Sequence, residues 1–291
     1  MTTWATQLQD RVIVITGASA GIGEALAMRV AVPGAKLVLA ARREGVLHTI
    51  KEVLADRGAE VVLVPTDMGD PASVQQLAET VITHFGRVDI LVNNAGYGQM
   101  GPVELVSDGA VRQQFEVNFF GLLSLTRALI PTMRAQGRGR IINVSSVAGH
   151  VSMPFSGIYN ATKHALEAVS DSLRIELAPF GIQVVLVEPG PVQTEFFEVA
   201  GQKTSQDIPS DNPYAAVLSQ RAEITGAMAK SGWTPAQVAD IMVRAMTDTH
   251  PQPRYTAFTG GKLALALMQV TPAPILDRMW AKMFRWSPPS S

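Results

Sequence analysis

The sequence predicts a single α/β domain built on a doubly wound parallel sheet. Short runs rich in valine and isoleucine alternate with longer helical patterns over the first two-thirds of its 291 residues. No linker rich in proline, glycine and serine interrupts the chain before residue 195, and 47% of the residues are hydrophobic, which is enough for a sizeable core. Strands and helices in this rhythm are typical of a parallel sheet joined by right-handed helical crossovers.

The first strand is expected at residues 11–16, where Arg-Val-Ile-Val-Ile-Thr forms a nearly continuous apolar run. Such a run is typical of a strand that is buried on both faces of a parallel sheet. Comparable runs predict strands at 36–41, 60–66, 88–93, 140–145 and 182–188, with a last strand around 254–258. Helical patterns lie between them at 21–32, 44–56, 71–85, 110–135 and 159–179.

The pattern is less regular after residue 194. Polar residues and two prolines interrupt it over residues 195–231, and a long segment of this kind is usually a lid, a binding loop or disordered. Thr234 followed by Pro235 favours a helix start, with the threonine as cap, and a helical tail is expected from Lys262. The predicted boundaries are a core over residues 10–194, a lid over 195–231 and a C-terminal segment over 232–291.

Composition and charge exclude several classes of function. With 24 basic and 25 acidic residues, the net charge of -1 gives no overall attraction for nucleic acid. The absence of cysteine excludes disulfides, thiolate metal sites and cysteine nucleophiles. The histidines and acidic residues lack metal-ligand spacing, so we expect no metal site. Because no secretory signal and no run of about 18 apolar residues is evident, we expect a cytoplasmic protein without a membrane span.

A glycine-rich turn follows the first predicted strand and leads directly into the first predicted helix. Its sequence, Thr-Gly-Ala-Ser-Ala-Gly-Ile-Gly, contains the candidate cofactor contacts Gly17, Ser19, Gly21, Ile22 and Gly23. Glycines at such a turn allow positive φ, close approach of a pyrophosphate and tight packing of helix on strand. The helix N-terminus adds free N–H groups and the positive end of a dipole. This context predicts dinucleotide binding, with a ligand-free tight turn as the alternative.

A second motif, Tyr159-Asn-Ala-Thr-Lys163, separates a phenol and an amine by four residues. Positions i and i+4 share a helix face, so both groups can reach one site. A free tyrosine has a pKa of about 10 and is a poor base near neutrality. A nearby ammonium favours the phenolate and lowers that pKa, which makes the pair a candidate for general acid–base catalysis. An ordinary surface pair on a helix is the alternative.

Both motifs resemble those of the classical short-chain dehydrogenase/reductase family, and the similarity covers about two-thirds of the chain. It implies a Rossmann fold, and beyond residue 194, where the resemblance carries little information, we expect a helical substrate lid and a C-terminal tail. It also implies a catalytic tetrad of Asn118, Ser146, Tyr159 and Lys163, with the serine thirteen residues before the tyrosine. Ser145 is a weaker alternative to Ser146. The implied reaction is hydride transfer between a nicotinamide and a carbonyl or secondary alcohol, with Tyr159 as general acid or base.

The same resemblance implies how a cofactor is held. The second predicted strand ends in Ala41, where relatives that use NAD carry an acidic residue, and Arg42 and Arg43 follow it. The planar fork of arginine suits a phosphate, so we predict NADP, with Arg42 on the 2'-phosphate and Arg43 or Ser19 as helpers. Solvated surface arginines are the alternative. The remaining predicted cofactor contacts are Asp67, Met68, Asn94, Ala95, Gly96, Tyr159, Lys163, Pro189, Gly190, Val192 and Thr194.

The predicted substrate contacts are Ser146, His150, Phe155, Tyr159 and Phe196. The loops expected to border the substrate also carry Tyr97, Met153, Phe155, Phe196 and Phe197, and this apolar lining favours a steroid-, retinoid- or acyl-like carbonyl or alcohol. The expected partners are this small molecule and, from the resemblance alone, further copies of the chain in a homodimer or homotetramer, with no nucleic acid. The alternative function is a regulatory protein that binds the cofactor as a redox sensor without turnover. Such proteins often lose the tyrosine or the lysine, and both are present here.

Overall fold

The computed structural model describes residues 3–284 and contains one seven-stranded, fully parallel sheet. Its strands are β1 (Val12–Thr16), β2 (Lys36–Ala41), β3 (Glu60–Pro65), β4 (Ile90–Asn93), β5 (Gly139–Val144), β6 (Ile182–Pro189) and β7 (Arg254–Ala257). Every predicted strand is present, with its ends within two residues of the prediction. The doubly wound single domain is therefore confirmed.

Helices precede β1, separate the strands and follow β7. They are α1 (Thr3–Leu8), α2 (Gly21–Val30), α3 (Glu44–Ala55), α4 (Pro71–Phe85), α5 (Asp108–Phe115), α6 (Gly121–Ala135), α7 (Gly157–Leu177), α8 (Phe196–Asp207), α9 (Ala215–Ser231), α10 (Pro235–Thr247), α11 (Gly261–Val270) and α12 (Ala273–Met283). Thr234 caps α10 as predicted, because its hydroxyl accepts a hydrogen bond from the backbone N–H of Gln237. None of the helices described over residues 3–284 is both long enough and apolar enough to cross a bilayer.

The sheet buries its two faces in separate apolar cores. Alternate side chains of β1 supply them: Ile13 and Ile15 pack with α2, α3 and α10, whereas Val12 and Val14 pack with α4 and α6. All five residues of β1 are buried. The apolar run of β1 is uninterrupted because a helical layer covers each face of the sheet, so every side chain of the strand is buried.

The strand order β3-β2-β1-β4-β5-β6-β7 reverses direction between β1 and β4. Chain connections leave β1 and β4 towards opposite sides at this point, which opens a crevice at the carboxyl ends of the strands. In open α/β sheets, ligands bind at such a crevice. The glycine turn follows β1 directly, and the predicted contacts Asn94, Ala95 and Gly96 follow β4, so the fold brings both groups of predicted cofactor contacts to the crevice.

One helical region differs from the sequence interpretation, and a second agrees with the expected helical lid. The helix predicted over 110–135 is interrupted by a π-helical turn at Glu116–Phe120, between α5 and α6. The irregular segment 195–231 contains the two helices α8 and α9, and the two prolines that interrupted the pattern lie in the connection between them. A helix that covers the core with only a narrow face carries many exposed polar residues, so its pattern is hard to distinguish from that of a loop.

Candidate active site

The glycine turn can exist only with glycine at key positions. Gly17 and Gly21 have φ of +66° and +57°, in the left-handed region that glycine tolerates best. A side chain at Gly23 would overlap the carbonyl oxygen of Gly17. The N-cap residue of α2, Ala20, makes no side-chain capping bond, so the first N–H groups of the helix remain available to a ligand. The turn therefore offers an anion cradle at the crevice.

Thr16 and Asn94 join the glycine turn to the end of β4. The Thr16 hydroxyl accepts hydrogen bonds of 3.0 Å from the backbone N–H groups of Asn94 and Ala95. In return, the Asn94 side chain donates to the carbonyl oxygen of Thr16 at 2.9 Å. Thr16 was not among the predicted site residues. Its position directly before the first glycine, at the end of a buried strand, was the signal available in the sequence.

The candidate 2'-phosphate residues differ in their contacts. Arg43 donates to the backbone carbonyl of Ser19 at 2.9 Å and to its hydroxyl at 3.3 Å, so it braces the glycine turn. Arg42 is exposed at the carboxyl end of β2. At the end of β3, the Asp67 carboxylate accepts a bond from the Gly69 N–H at 2.8 Å, while Asp70 rather than Asp67 caps α4. Both arginines and Asp67 thus lie on the β2–β3 side of the crevice.

Asn118 lies in the π-helical turn and is completely buried. Its side chain bonds both backbone groups of Tyr97: the amide donates to the carbonyl at 2.9 Å, and the oxygen accepts from the N–H at 3.1 Å. Gln114, one turn earlier, also donates to the Tyr97 carbonyl at 2.7 Å. These bonds attach the helix to the segment after β4. A π turn often marks a functional site, and here it directs Asn118 to the crevice wall.

Tyr159 and Lys163 share one face of α7, one helical turn apart, and both side chains are buried. The Lys163 ammonium donates to the backbone carbonyl of Val144 at 2.8 Å and lies 5.8 Å from the centre of the Tyr159 ring. Burial raises the pKa of Tyr159 to about 12, and a hydrogen bond with Ser146 opposes this rise. Burial also lowers the pKa of Lys163 to about 8, with Glu167 acting in the opposite direction. The structure therefore brings Ser146, Tyr159 and Lys163 together.

The segment after β6 closes the crevice from the other side. The Thr194 side chain lies against Gly21, where an added Cβ would be 3.0 Å from its methyl group. Val192 pairs with Trp233 in an isolated parallel bridge, and Gly190 packs on Phe258. The predicted nicotinamide-side residues therefore lie next to the phosphate-side turn.

The predicted substrate residues do not form one group. Phe196, at the start of α8, packs on Tyr159 with ring centroids 5.4 Å apart. Phe155 instead packs against Tyr214 and Phe284, each at 6.1 Å, and has a φ of +61°. The structure thus brings Phe196 to Tyr159 of the candidate catalytic group, whereas Phe155 belongs to a separate aromatic cluster.

His150 lies in a cluster of charged groups rather than beside Tyr159. Its Nε2 is 2.9 Å from a Glu188 carboxylate oxygen, and the Gln269 amide is 3.3 Å from its Nδ1. Glu167 is also near. One ring nitrogen of His150 and one carboxylate oxygen from each of Glu167 and Glu188 lie within 4.8 Å of one another. Arg254 supplies the opposite charge, at 3.2 Å from Glu188 and 3.1 Å from Glu167. These contacts explain the position of His150 without a substrate, so its substrate role stays a prediction.

We expect the stability of the protein to decrease as pH rises through the titration of His150. The hydrogen bond with Glu188 raises the pKa of His150 above its ordinary 6.5, against the effect of burial. A group whose pKa is raised in the folded state stabilises that state fully below its ordinary pKa, and the stabilisation is lost as pH rises through the folded value. Urea unfolding from slightly acidic to slightly alkaline pH measures this slope.

His150→Gln should flatten that slope, because glutamine cannot titrate. His250→Gln is the matched control, since His250 is exposed and lies in the connection before β7. An unchanged slope in His150→Gln would contradict the assignment. Glu167 strengthens the expected trend, because burial raises the pKa of its carboxyl group as well.

A phosphate-binding turn at the crevice of a doubly wound sheet defines a Rossmann-type nucleotide-binding domain. The chain belongs to the short-chain dehydrogenase/reductase family of oxidoreductases, since a family model described as short chain dehydrogenase matches residues 11–205. A probable short-chain type dehydrogenase/reductase of Helicobacter pylori is 33% identical over 267 residues, covering 92% of this chain and 95% of the relative. The resemblance inferred from the sequence motifs is confirmed.

Solved structures of relatives agree with the fold and contain nicotinamide cofactors. A short chain dehydrogenase/reductase from Burkholderia phymatum in complex with NAD has a TM-score of 0.79 at 30% identity, covering 98% of both chains. L-Sorbose reductase from Gluconobacter frateurii, complexed with NADPH and L-sorbose, has a TM-score of 0.74 at 31% identity, covering 87% of this chain and 97% of its own. The similar structures thus include complexes with both nicotinamide cofactors.

Proposed function

We propose that this oxidoreductase is an NADP-dependent reductase of apolar ketones, or the corresponding alcohol dehydrogenase. The observation that carries the proposal is the group of Ser146 with the buried Tyr159 and Lys163 next to a glycine cradle. The residues fit a dinucleotide, because the glycine turn leaves the first N–H groups of α2 without a side-chain cap at the crevice, where they can bind a pyrophosphate. Gly17, Gly21, Gly23 and the segment 189–194 would hold the dinucleotide, and it would supply a hydride to the carbonyl carbon.

The protein's own groups would manage the proton and the charge. Since burial raises the pKa of Tyr159 to about 12, its phenol carries a proton at neutral pH and can donate it to the substrate oxygen as the alcohol forms. The Ser146 hydroxyl can hydrogen-bond the same oxygen and stabilise its developing charge. The Lys163 ammonium, one turn away, favours the phenolate that remains. Family resemblance assigns proton return to a relay through Lys163 and Asn118.

The preference for NADP rests on charge at the end of β2. Position 41 is an alanine, so it lacks the carboxylate that would accept a hydrogen bond from the ribose 2'-hydroxyl of NAD and repel a 2'-phosphate. The next two residues are arginines. Arg42 is exposed, whereas Arg43 is already bonded to Ser19. Substitution of Arg42 therefore tests the contact with a 2'-phosphate without also removing a bond to the glycine turn.

Arg42→Ala is expected to raise the KM for NADPH about tenfold, which corresponds to the loss of one charge-assisted contact. The KM for NADH should stay within about twofold, because NADH has no 2'-phosphate for Arg42 to bind. Steady-state kinetics with both cofactors measure the two values. Lys51→Ala, which removes an exposed cation further along α3, is the control and should change neither value. Tighter binding of NADH than of NADPH by the natural enzyme would overturn the proposed preference.

The apolar character of the substrate rests on the surroundings of Tyr159. Met100, Ala148 and Ala200 form a buried cluster with it, and Phe196 packs on this cluster. A panel of ketones of increasing apolar size, followed by NADPH absorbance, tests the activity. Reduction of bulky apolar ketones is the expected result. Tight NADPH binding without turnover of any compound would favour the alternative function, a redox-sensing regulator.

Assembly and location remain predictions. A homodimer or homotetramer is supported by exposed apolar side chains at Phe120, Ile175 and Phe180, near or on α6 and α7. Cytoplasmic location stays a prediction from the sequence.

A further inference from the structure

Arg221 is a cation that faces the apolar interior of the lid. It lies on α9, four residues after Val217 and three before Ile224, and residues with these spacings share one helix face. Val217 is buried, and Ile224 packs against the same apolar cluster, which we call the lid cluster. The buried members of the lid cluster are Val151, Val217, Leu265, Trp280 and Phe284. Arg221 therefore extends from an apolar helix face.

The guanidinium of Arg221 makes few polar contacts for its charge. Its Nη2 donates to the Ser156 hydroxyl at 3.0 Å, while its Nε is buried without a hydrogen-bond partner. No carboxylate of residues 3–284 forms an ion pair with it, and burial is the single cause that lowers its pKa to about 10. At neutral pH the side chain is thus charged, partly buried and lacking a counter-ion among the described residues. Burial without a counter-ion disfavours a charge, and an anion beside it would offset that cost.

The contact with Ser156 directs this charge to the start of α7. Ser156 is the N-cap of that helix, is buried, and makes no side-chain capping bond. A helix N-terminus carries partial positive charge, so Arg221 and the helix end have the same sign. Their proximity increases the demand for a negative group.

The same helix end carries Tyr159, three residues after Ser156. Three residues span about 5 Å along a helix, so the backbone of Ser156, which Arg221 contacts, lies about one turn from that of Tyr159. The two lid helices contribute different chemistry to this region. Phe196 of α8 covers Tyr159 with an apolar ring, and Arg221 of α9 brings a cation. A substrate that uses both contacts combines an apolar body with an anionic group.

We propose that Arg221 binds a carboxylate of the substrate, so that the preferred substrates are apolar keto acids rather than neutral ketones. The unbonded Nε and the remaining Nη hydrogens can form the paired bonds by which arginine recognises a carboxylate. The substrate carboxylate supplies the counter-ion that the described residues lack. This inference rests on the proposed function, because it requires reduction at Tyr159.

The test compares a long-chain keto acid with its methyl ester, which has the same ketone and apolar chain without the charge. In Arg221→Gln, the KM for the keto acid should rise at least about tenfold, since two charge-assisted bonds are lost. The kcat should change little, and the ester should be affected less than about twofold, because Arg221 makes no charge contact with it. Lys230→Gln, an exposed cation near the end of α9, is the matched control and should leave both substrates unchanged.

Three results would separate the possible failures. Equal loss for acid and ester in Arg221→Gln, or no loss for either, would overturn the role of Arg221. If the natural enzyme reduces neither compound with NADPH, the proposed function itself fails. Should Arg221→Gln not fold, Arg221→Lys keeps the charge but loses the fork. In that case the natural enzyme should be inhibited by a saturated fatty acid but not by the matching alcohol. Inhibition by the fatty acid should be weaker in Arg221→Lys. Equal inhibition of the natural enzyme by the acid and the alcohol would contradict the proposal.

Discussion

Tyr159→Phe is expected to lower kcat for ketone reduction by about 10² to 10⁴-fold, the range that general acid catalysis contributes. The substitution removes one oxygen from a side chain that is 9% exposed and packed against Phe196 and Met100. Phenylalanine keeps the ring, so the packing should persist. The loss should therefore appear in kcat, with the affinity for NADPH nearly unchanged.

The physical basis is the protonation state that burial imposes. Because the pKa of Tyr159 is raised to about 12, the phenol holds its proton at the pH where a ketone needs an acid. Without the hydroxyl, the developing alkoxide would have Ser146 as its hydrogen-bond partner but no proton donor at the same place. Water would then have to supply the proton, and the rate of ketone reduction would fall.

Tyr255→Phe provides the matched control, since it makes the same chemical change at a tyrosine of β7. Its hydroxyl bonds Asp248 at 2.6 Å and has no contact with the candidate catalytic residues. We expect normal kcat in this variant. Stopped-flow or steady-state measurement of NADPH oxidation, with NADPH affinity from fluorescence titration, distinguishes the two variants. Undiminished kcat in Tyr159→Phe would contradict the assigned mechanism.

Gly23→Ala is expected to reduce NADPH affinity by at least about 10²-fold, or to prevent stable folding, because overpacking at a rigid contact displaces backbone. The new methyl group would overlap the carbonyl oxygen of Gly17 and approach the side chain of Asn94. Both neighbours belong to the hydrogen-bonded turn that also includes Thr16. The helix would have to move away from β1, and the anion cradle would widen.

Gly109→Ala is the control for this substitution. Gly109 lies in α5 and has no atom within 4 Å of an added Cβ. Alanine in a helix is favoured over glycine by about 0.5–1 kcal/mol, so this variant should fold normally or be slightly more stable. Fluorescence titration with NADPH and urea unfolding measure both variants. Normal NADPH affinity in Gly23→Ala would show that the close approach to Gly17 is not required.

Several site residues could be predicted because local chemistry restricts them strongly. The left-handed φ values at Gly17 and Gly21 and the close contact at Gly23 require glycine, and such requirements leave a recognisable spacing. The four-residue interval between Tyr159 and Lys163 follows from helix geometry alone. Thr16, by contrast, was missed because its function in the turn depends on N–H groups from β4, which is distant in the sequence.

Other features depended on contacts that no local pattern expresses. The π turn at Asn118 is fixed by bonds to Tyr97 from another segment, so the sequence predicted an uninterrupted helix there. His150 follows the candidate catalytic serine closely, yet its surroundings are set by Glu188 on β6 and by Gln269 on α11. Proximity in the chain suggested a substrate contact, whereas the tertiary structure holds the ring in an ionic cluster.

The sequence by itself determined the sheet, its helical crossovers and the glycine turn, because apolar periodicity and backbone conformation act over a few neighbouring residues. Only the tertiary structure decided how the two lid helices meet the start of α7. That arrangement brings Phe196 onto Tyr159 and leaves Arg221 partly buried without an ion pair among residues 3–284. The two contacts join residues 37 and 65 positions apart, and no periodicity encodes them, since they depend on the packing of whole elements against one another.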